Sequence, residues 1–187
     1  MGNRRTLALG LLLAAATVHG APQQLDEDLR QRLALALAED GSAQDRFEAE
    51  VWLTDMATRL TPRLPDPQER LNLLRQVYRE AKRADLPPEL VLAVIQVESN
   101  FDRFAISVAG AQGLMQIMPF WLDEIGHPDD NLFHIHTNLR MGCTILRYYL
   151  DKEGGDLTRA LARYNGSPGS ARYPQRIYTA LRTHWYK

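Results

Sequence analysis

LPPELVLAVIQVESNF, residues 86–101, decides how the chain is read. Pro88 opens a helix, where its missing N–H costs nothing. From Leu90 to Val97 the side chains are apolar on nearly every side, too many for a surface helix with one buried stripe. The segment therefore reads as the central helix of a core. At its end stands Glu98. Val91, Val94 and Ile95 lie seven, four and three residues earlier, so they share its face. Loss of hydration and the negative end of the helix dipole both disfavour a carboxylate there. The expected result is a carboxyl that holds its proton closer to neutral pH, as a general acid must. A lone glutamate in such a place is ordinarily hydrogen-bonded in a core or exposed at a frayed helix end, so its neighbours decide.

Outward from this helix the pattern is helical almost throughout. Residues 25–39 align Leu25, Leu29, Leu33 and Ala36, and residues 44–60 set Phe47, Val51 and Met56 near one face. Asp66, Pro67 and Glu69 form a helix-start signature. Leu71, Leu74, Val77, Tyr78 and Ala81 share a side of the helix that follows. Residues 100–112 read as a loop, 113–126 as a short helix and 127–137 as another loop. Residues 138–152, 156–164 and 174–185 read as helices. The fold class is all-α, with a boundary near residue 85 between an N-terminal helical region (21–84) and a second domain (85–187).

The first twenty residues stand apart. MGNRRT is basic, LALGLLLAAATV is a short apolar run, and Val18 and Gly20 are small residues at the −3 and −1 positions of a signal-peptidase site. A spanning helix needs about 20 apolar residues. Residues 1–20 therefore read as an export signal, which implies a periplasmic or secreted protein. A retained N-terminal anchor is the other reading. The single cysteine, Cys143, excludes an intrachain disulfide. A net charge of −1 offers no bulk attraction to nucleic acid. Of the five histidines only His134 and His136 are close enough to suggest ligands, and no metal or other cofactor is expected.

Two further segments surround Glu98-Ser99 with a pattern: AISVAGAQGLMQIMP at 105–119 and ALARYNGSPG at 160–169. Taken in order, the three resemble the catalytic domain of the lytic transglycosylases of the soluble, goose-lysozyme-like type, over roughly residues 85–185. The resemblance implies a lysozyme-like helical domain whose substrate is the glycan strand of peptidoglycan. It implies Glu98 as the single catalytic acid, Ser107 as a serine that helps hold sugar and acid, and Gln116 and Met118 as cleft residues touching the glycan. Tyr164 and Asn165 are implied as the pair facing the acid. Gly110 and Gly113 are expected to let the loop approach the substrate, and Met115 to fill the core.

Some bland roles fit the same residues: Ser107 as a turn cap, Asn165-Gly166 as a turn. The chain also departs from the family where a tyrosine-leucine pair is usual after N-x-x-x-G. Here Ile145-Leu146 stands, with Tyr148 or Tyr149 as a stand-in. The stretch after YNGSPG is short.

Most glycosidases use two carboxylates. The matched motifs hold one; Asp102 lies four residues after Glu98, where the helix has ended, and the acids at 123, 124, 129 and 130 read as solvated charges. The implied reaction cleaves the β-1,4 bond from N-acetylmuramic acid to N-acetylglucosamine and closes a 1,6-anhydro ring. A goose-type lysozyme, which hydrolyses the bond, and a non-catalytic peptidoglycan-binding protein on the same fold are the competing readings.

Overall fold

The computed structural model describes residues 46–125 and 130–186. The expected export signal and the 25–39 helix lie outside the described residues. Seven α-helices are described: α1 (Arg46–Leu60), α2 (Pro67–Arg83), α3 (Pro88–Glu98), α4 (Phe120–Ile125), α5 (Ile135–Lys152), α6 (Leu157–Tyr164) and α7 (Arg172–Ala180). The last runs straight into a π-helical turn, Leu181–Trp185. Two isolated bridges, Ile106 to Gln112 and Gln112 to Ile117, are the only extended pairing among the described residues.

The Asp66 side chain caps α2 by accepting from the Glu69 N–H at 2.7 Å, with Pro67 at the first helical position. The helix opened by Pro88 is central, as expected: every side chain from Leu90 to Ile95 is buried. The reason is packing on all sides, by α2, by α7 and by the π-helical turn. One continuous apolar core runs from Met56 to Trp185.

Three expectations need correction. Val51 is 57% exposed, whereas Met56 is 3% exposed. Five residues of helix separate the two by about 140°, and α1 packs instead through Trp52, Leu53, Met56, Ala57 and Leu60. The helix expected over 113–126 begins only at Phe120. Pro119 disfavours the helical conformation at Met118, and Gln116 stands at φ +52°. Residues 113–118 therefore make a turn closed by the Gln112–Ile117 bridge. Helices α5 and α7 start at Ile135 and Arg172, two or three residues earlier than the periodicity suggests.

Beneath the loops lies a buried ionic cluster. Glu80 of α2 is 0% exposed. Arg83 Nε stands 2.8 Å from it, Arg79 Nε and Arg140 Nε each 3.3 Å, and His136 Nε2 3.6 Å. Arg83 also donates to the Thr144 hydroxyl at 2.7 Å, which joins α2 to α5. His136 thus faces a carboxylate, and His134 is the N-cap residue of α5.

Candidate active site

Glu98 is the last residue of α3, and the backbone reverses sharply after it. Asn100 and Phe101 have φ of +49° and +70°. Left-handed backbone at an aromatic residue is strained. Phe101 is held there by burial, edge-on to the Trp185 ring with centroids 5.7 Å apart. The reversal brings the downstream loop back over the helix end. Ser99 Oγ fastens it, donating within hydrogen-bond distance of both Ile95 O (3.1 Å) and Leu114 O (2.8 Å).

Asn138 of α5 organises the loop from the other side. Its Oδ1 accepts from Met115 N at 2.8 Å, and its Nδ2 donates to Gln112 O and Leu132 O, both at 2.9 Å. Three backbone groups are thereby satisfied by one buried amide. Gly113 is explained by the same contact. A Cβ there would lie 2.4 Å from Asn138 Nδ2 and 2.5 Å from Leu132 O. Gly113 therefore serves packing against Asn138 and Leu132, a different reason from the substrate approach expected. Gly110 (φ +89°) has open space about it and turns the loop back on Ser107.

The result is a cleft of about 320 Å³. Glu98, Ser107, Gln116, Met118, Tyr164 and Asn165 all line it. Ser107 Oγ accepts from Ala111 N at 3.0 Å, so it caps its turn as well as facing the cleft. Gln116 Nε2 donates to Ala105 O (3.2 Å) and Gly113 O (3.0 Å), which holds the left-handed turn in place. Tyr164 presents its ring to the cleft while its hydroxyl donates to Met115 O at 2.8 Å. Met115 itself is fully buried, as expected of a core residue. Phe120, Trp121, Ile145 and Tyr149 complete the apolar wall. Of the two tyrosines offered as stand-ins, Tyr149 reaches the cleft; Tyr148 packs beneath Lys152.

Sequence reasoning missed Tyr173. Its hydroxyl donates to Glu98 Oε1 at 2.6 Å, and the ring is buried at the start of α7. The sequence pattern sets it in the loop before the last helix, and nothing local ties it to a carboxyl 75 residues away. Burial pushes the Glu98 carboxyl above its ordinary value; the Tyr173 hydrogen bond and the charge of Arg176 pull it back part of the way. Burial, then the neighbouring Glu98, also keeps the Tyr164 and Tyr173 hydroxyls protonated far into the alkaline range. Glu98 is the only carboxylate lining the cleft among the described residues. Asp102 is exposed and accepts from Phe104 N at 2.9 Å, making a local turn outside the cleft.

Sequence and structure comparisons identify related proteins. The sequence model of the transglycosylase SLT domain matches residues 76–184. A transglycosylase of Enterobacteria phage PRD1 is 36% identical over 89 residues, which are 48% of this chain and 32% of that protein. Membrane-bound lytic murein transglycosylase F of Desulfosudis oleivorans is 35% identical over 107 residues, 54% of this chain and 23% of that one. A crystal structure of an inactive mutant of the lytic transglycosylase Slt from Pseudomonas aeruginosa aligns with 31% identity and a TM-score of 0.46, over 53% of this chain and 17% of that one. The chain thus spans a third or less of the length of these relatives. With more than half of its residues inside the matched region, the protein belongs to the transglycosylase SLT domain family.

Proposed function

We propose that the protein is a peptidoglycan lytic transglycosylase in which Glu98 is acid and then base. The observation that supports this reading is the half-buried Glu98 carboxyl, the only one lining the cleft among the described residues, held by the Tyr173 hydroxyl. In the first step Glu98 gives its proton to the glycosidic oxygen between N-acetylmuramic acid and N-acetylglucosamine. The C1–O bond breaks, its electron pair stays on that oxygen, and N-acetylglucosamine leaves with a 4-hydroxyl. The substrate's own N-acetyl oxygen steadies the cationic C1. The Glu98 carboxylate then removes the C6 hydroxyl proton as O6 bonds to C1. The acid is restored and no water is consumed.

Within this reading Gln116 and Ser107 shape the loop that receives the sugar. Met118, Tyr164 and Asn165 contact it along the cleft wall. Helices α1 and α2, with the residues before them, serve as a scaffold for a catalytic unit over 85–187. Residues 1–20 direct export to the periplasm or beyond, where the glycan substrate lies.

Mass spectrometry of peptidoglycan digested by the purified protein tests the proposal. Products ending in 1,6-anhydromuramic acid are expected. Only reducing muramic ends would place the protein with the goose-type lysozymes. Sugar binding without released products would leave the non-catalytic reading.

A further inference from the structure

A second groove, about 420 Å³, runs between the end of α3, α7 and the π-helical turn. Gln96, Val97, Arg176, Thr179, Thr183 and His184 line it, and its lining includes no acid. We infer that this groove is a subsite for the free carboxylates of the peptide branch borne by muramic acid, with Arg176 as the anion-binding group. The inference rests on the proposed substrate and extends it from the sugar to its branch.

Continuity with the acid is the first argument. Val97 precedes Glu98, and Arg176 Nη2 donates to Val97 O at 3.2 Å. The charge of Arg176 is felt at Glu98 itself. A branch leaving the muramic ring next to the scissile bond therefore has this groove within reach.

Charge is the second. Arg59, Arg83, Arg147, Arg159 and Arg163 each hold a carboxylate of this chain. Arg176 forms no ion pair among the described residues, although its charge reaches the Glu98 carboxyl. The saccharide backbone is uncharged; the acidic groups of the polymer sit on its peptides. A guanidinium with free N–H groups recognises such a carboxylate through paired hydrogen bonds.

The groove wall is also built to be firm. Arg63 Nη2 lies 3.0 Å from His184 Nε2. Arginine only donates, so Nε2 accepts from it, while Nδ1 faces the Gln96 amide nitrogen at 3.3 Å. Nδ1 lies 2.7 Å from Thr183 Oγ1, whose own hydroxyl donates to Thr179 O at 2.8 Å. Burial, then the Arg63 charge, keeps His184 neutral. The neutral imidazole adds no charge of its own to the groove, and Arg63 stands behind it as a second cation. The π-helical turn sets Thr183 and His184 on the groove, a distortion common at functional sites.

The test uses glycan strands with intact peptide stems, whose carboxylates are either free or converted to primary amides. Wild-type protein is expected to prefer free-acid strands in kcat/KM. Arg176→Gln is expected to lower the ratio between the two substrates about tenfold, the size of one charge-assisted hydrogen bond. Thr179→Glu, which leaves Arg176 in place and adds an opposing charge, is expected to lower it in the same direction. An unchanged ratio in both variants overturns the inference. So does an equal loss on both substrates with Arg176→Gln, which would mean that Arg176 acts only through Glu98. Titration with the isolated stem peptide, free and amidated, reads the groove without catalysis. Tighter binding of the free acid that is lost in Arg176→Gln supports the subsite, and equal binding overturns it. If wild-type protein cleaves neither strand, the proposed function fails, and the titration still decides the groove.

Discussion

The Tyr173 hydroxyl donates to Glu98 Oε1 at 2.6 Å, joining the start of α7 to the end of α3. The bond fixes one carboxyl oxygen and leaves the other to face the cleft. It also favours the ionised acid, against the larger opposing effect of burial. Tyr173→Phe removes the donor and keeps the ring. The Glu98 pKa then rises further. Cleavage needs the protonated acid, so the alkaline limb of the pH–rate profile is expected to move to higher pH. A loss of about tenfold in kcat should accompany it, because the carboxyl is less well oriented. A limb that stays in place or moves to lower pH would contradict this account.

Glu98→Gln keeps shape and the acceptor for Tyr173 but cannot transfer the proton. Anhydromuropeptide release is expected to fall by about a hundredfold or more. The fold should gain. The folded state holds the Glu98 proton more tightly than the unfolded chain does. The stability this contributes is fully present below the unfolded pKa and is lost as pH rises through the folded one. At pH 7 the charged side chain therefore weakens the fold, and its replacement raises Tm. The gap between variant and wild type should close below about pH 4. A Tm difference that is constant with pH, or widens in acid, would be inconsistent with a raised Glu98 pKa.

The central helix was legible because burial on all sides leaves a direct mark: six consecutive apolar residues from Leu90 to Ile95. The acid was legible as an exception to that mark, and its protonation followed from local reasoning about Val91, Val94 and Ile95. Tyr173 and Arg176 were not legible, since their relation to Glu98 exists only after α7 folds across α3. Asn138 was visible in its N-x-x-x-G setting, but its three backbone partners lie on segments up to 26 residues away. Val51 shows the limit of periodicity. Several apolar residues of α1 were available for one stripe, and only the packing partner chooses among them.

Asn138 carries more of the site than its position on α5 suggests. Asn138→Ala is expected to cost about 2–4 kcal/mol by leaving the Met115 N–H and the Leu132 carbonyl without their partner and the Gln112 carbonyl with the Ile117 N–H alone. Asn138→Asp keeps the acceptor for Met115 but sets an anion against two carbonyls, so it should not rescue stability. Urea unfolding measures both. Activity should fall more steeply than stability, because the turn holding Gln116 and Gly113 is what the amide organises. A loss below about 0.5 kcal/mol in Asn138→Ala would show that the loop is held by other means.

Glu80 tests whether the buried ionic cluster supports the fold. With the carboxylate removed, Arg79, Arg83 and Arg140 face one another, and Arg140 is itself only 1% exposed. Burial already pushes the Arg140 guanidinium downward, and Glu80 is the chief opposing influence. Glu80→Ala is therefore expected to destabilise by about 3–5 kcal/mol. Asp55→Ala breaks the exposed Asp55–Arg59 pair on α1 and should cost under about 1 kcal/mol. Salt separates the two further: 1 M NaCl should weaken the Asp55 effect and leave most of the Glu80 effect, since screening reaches the surface pair first. Equal costs in the two variants would mean that water reaches the Glu80 cluster and that its ion pairs add no more than a surface pair does.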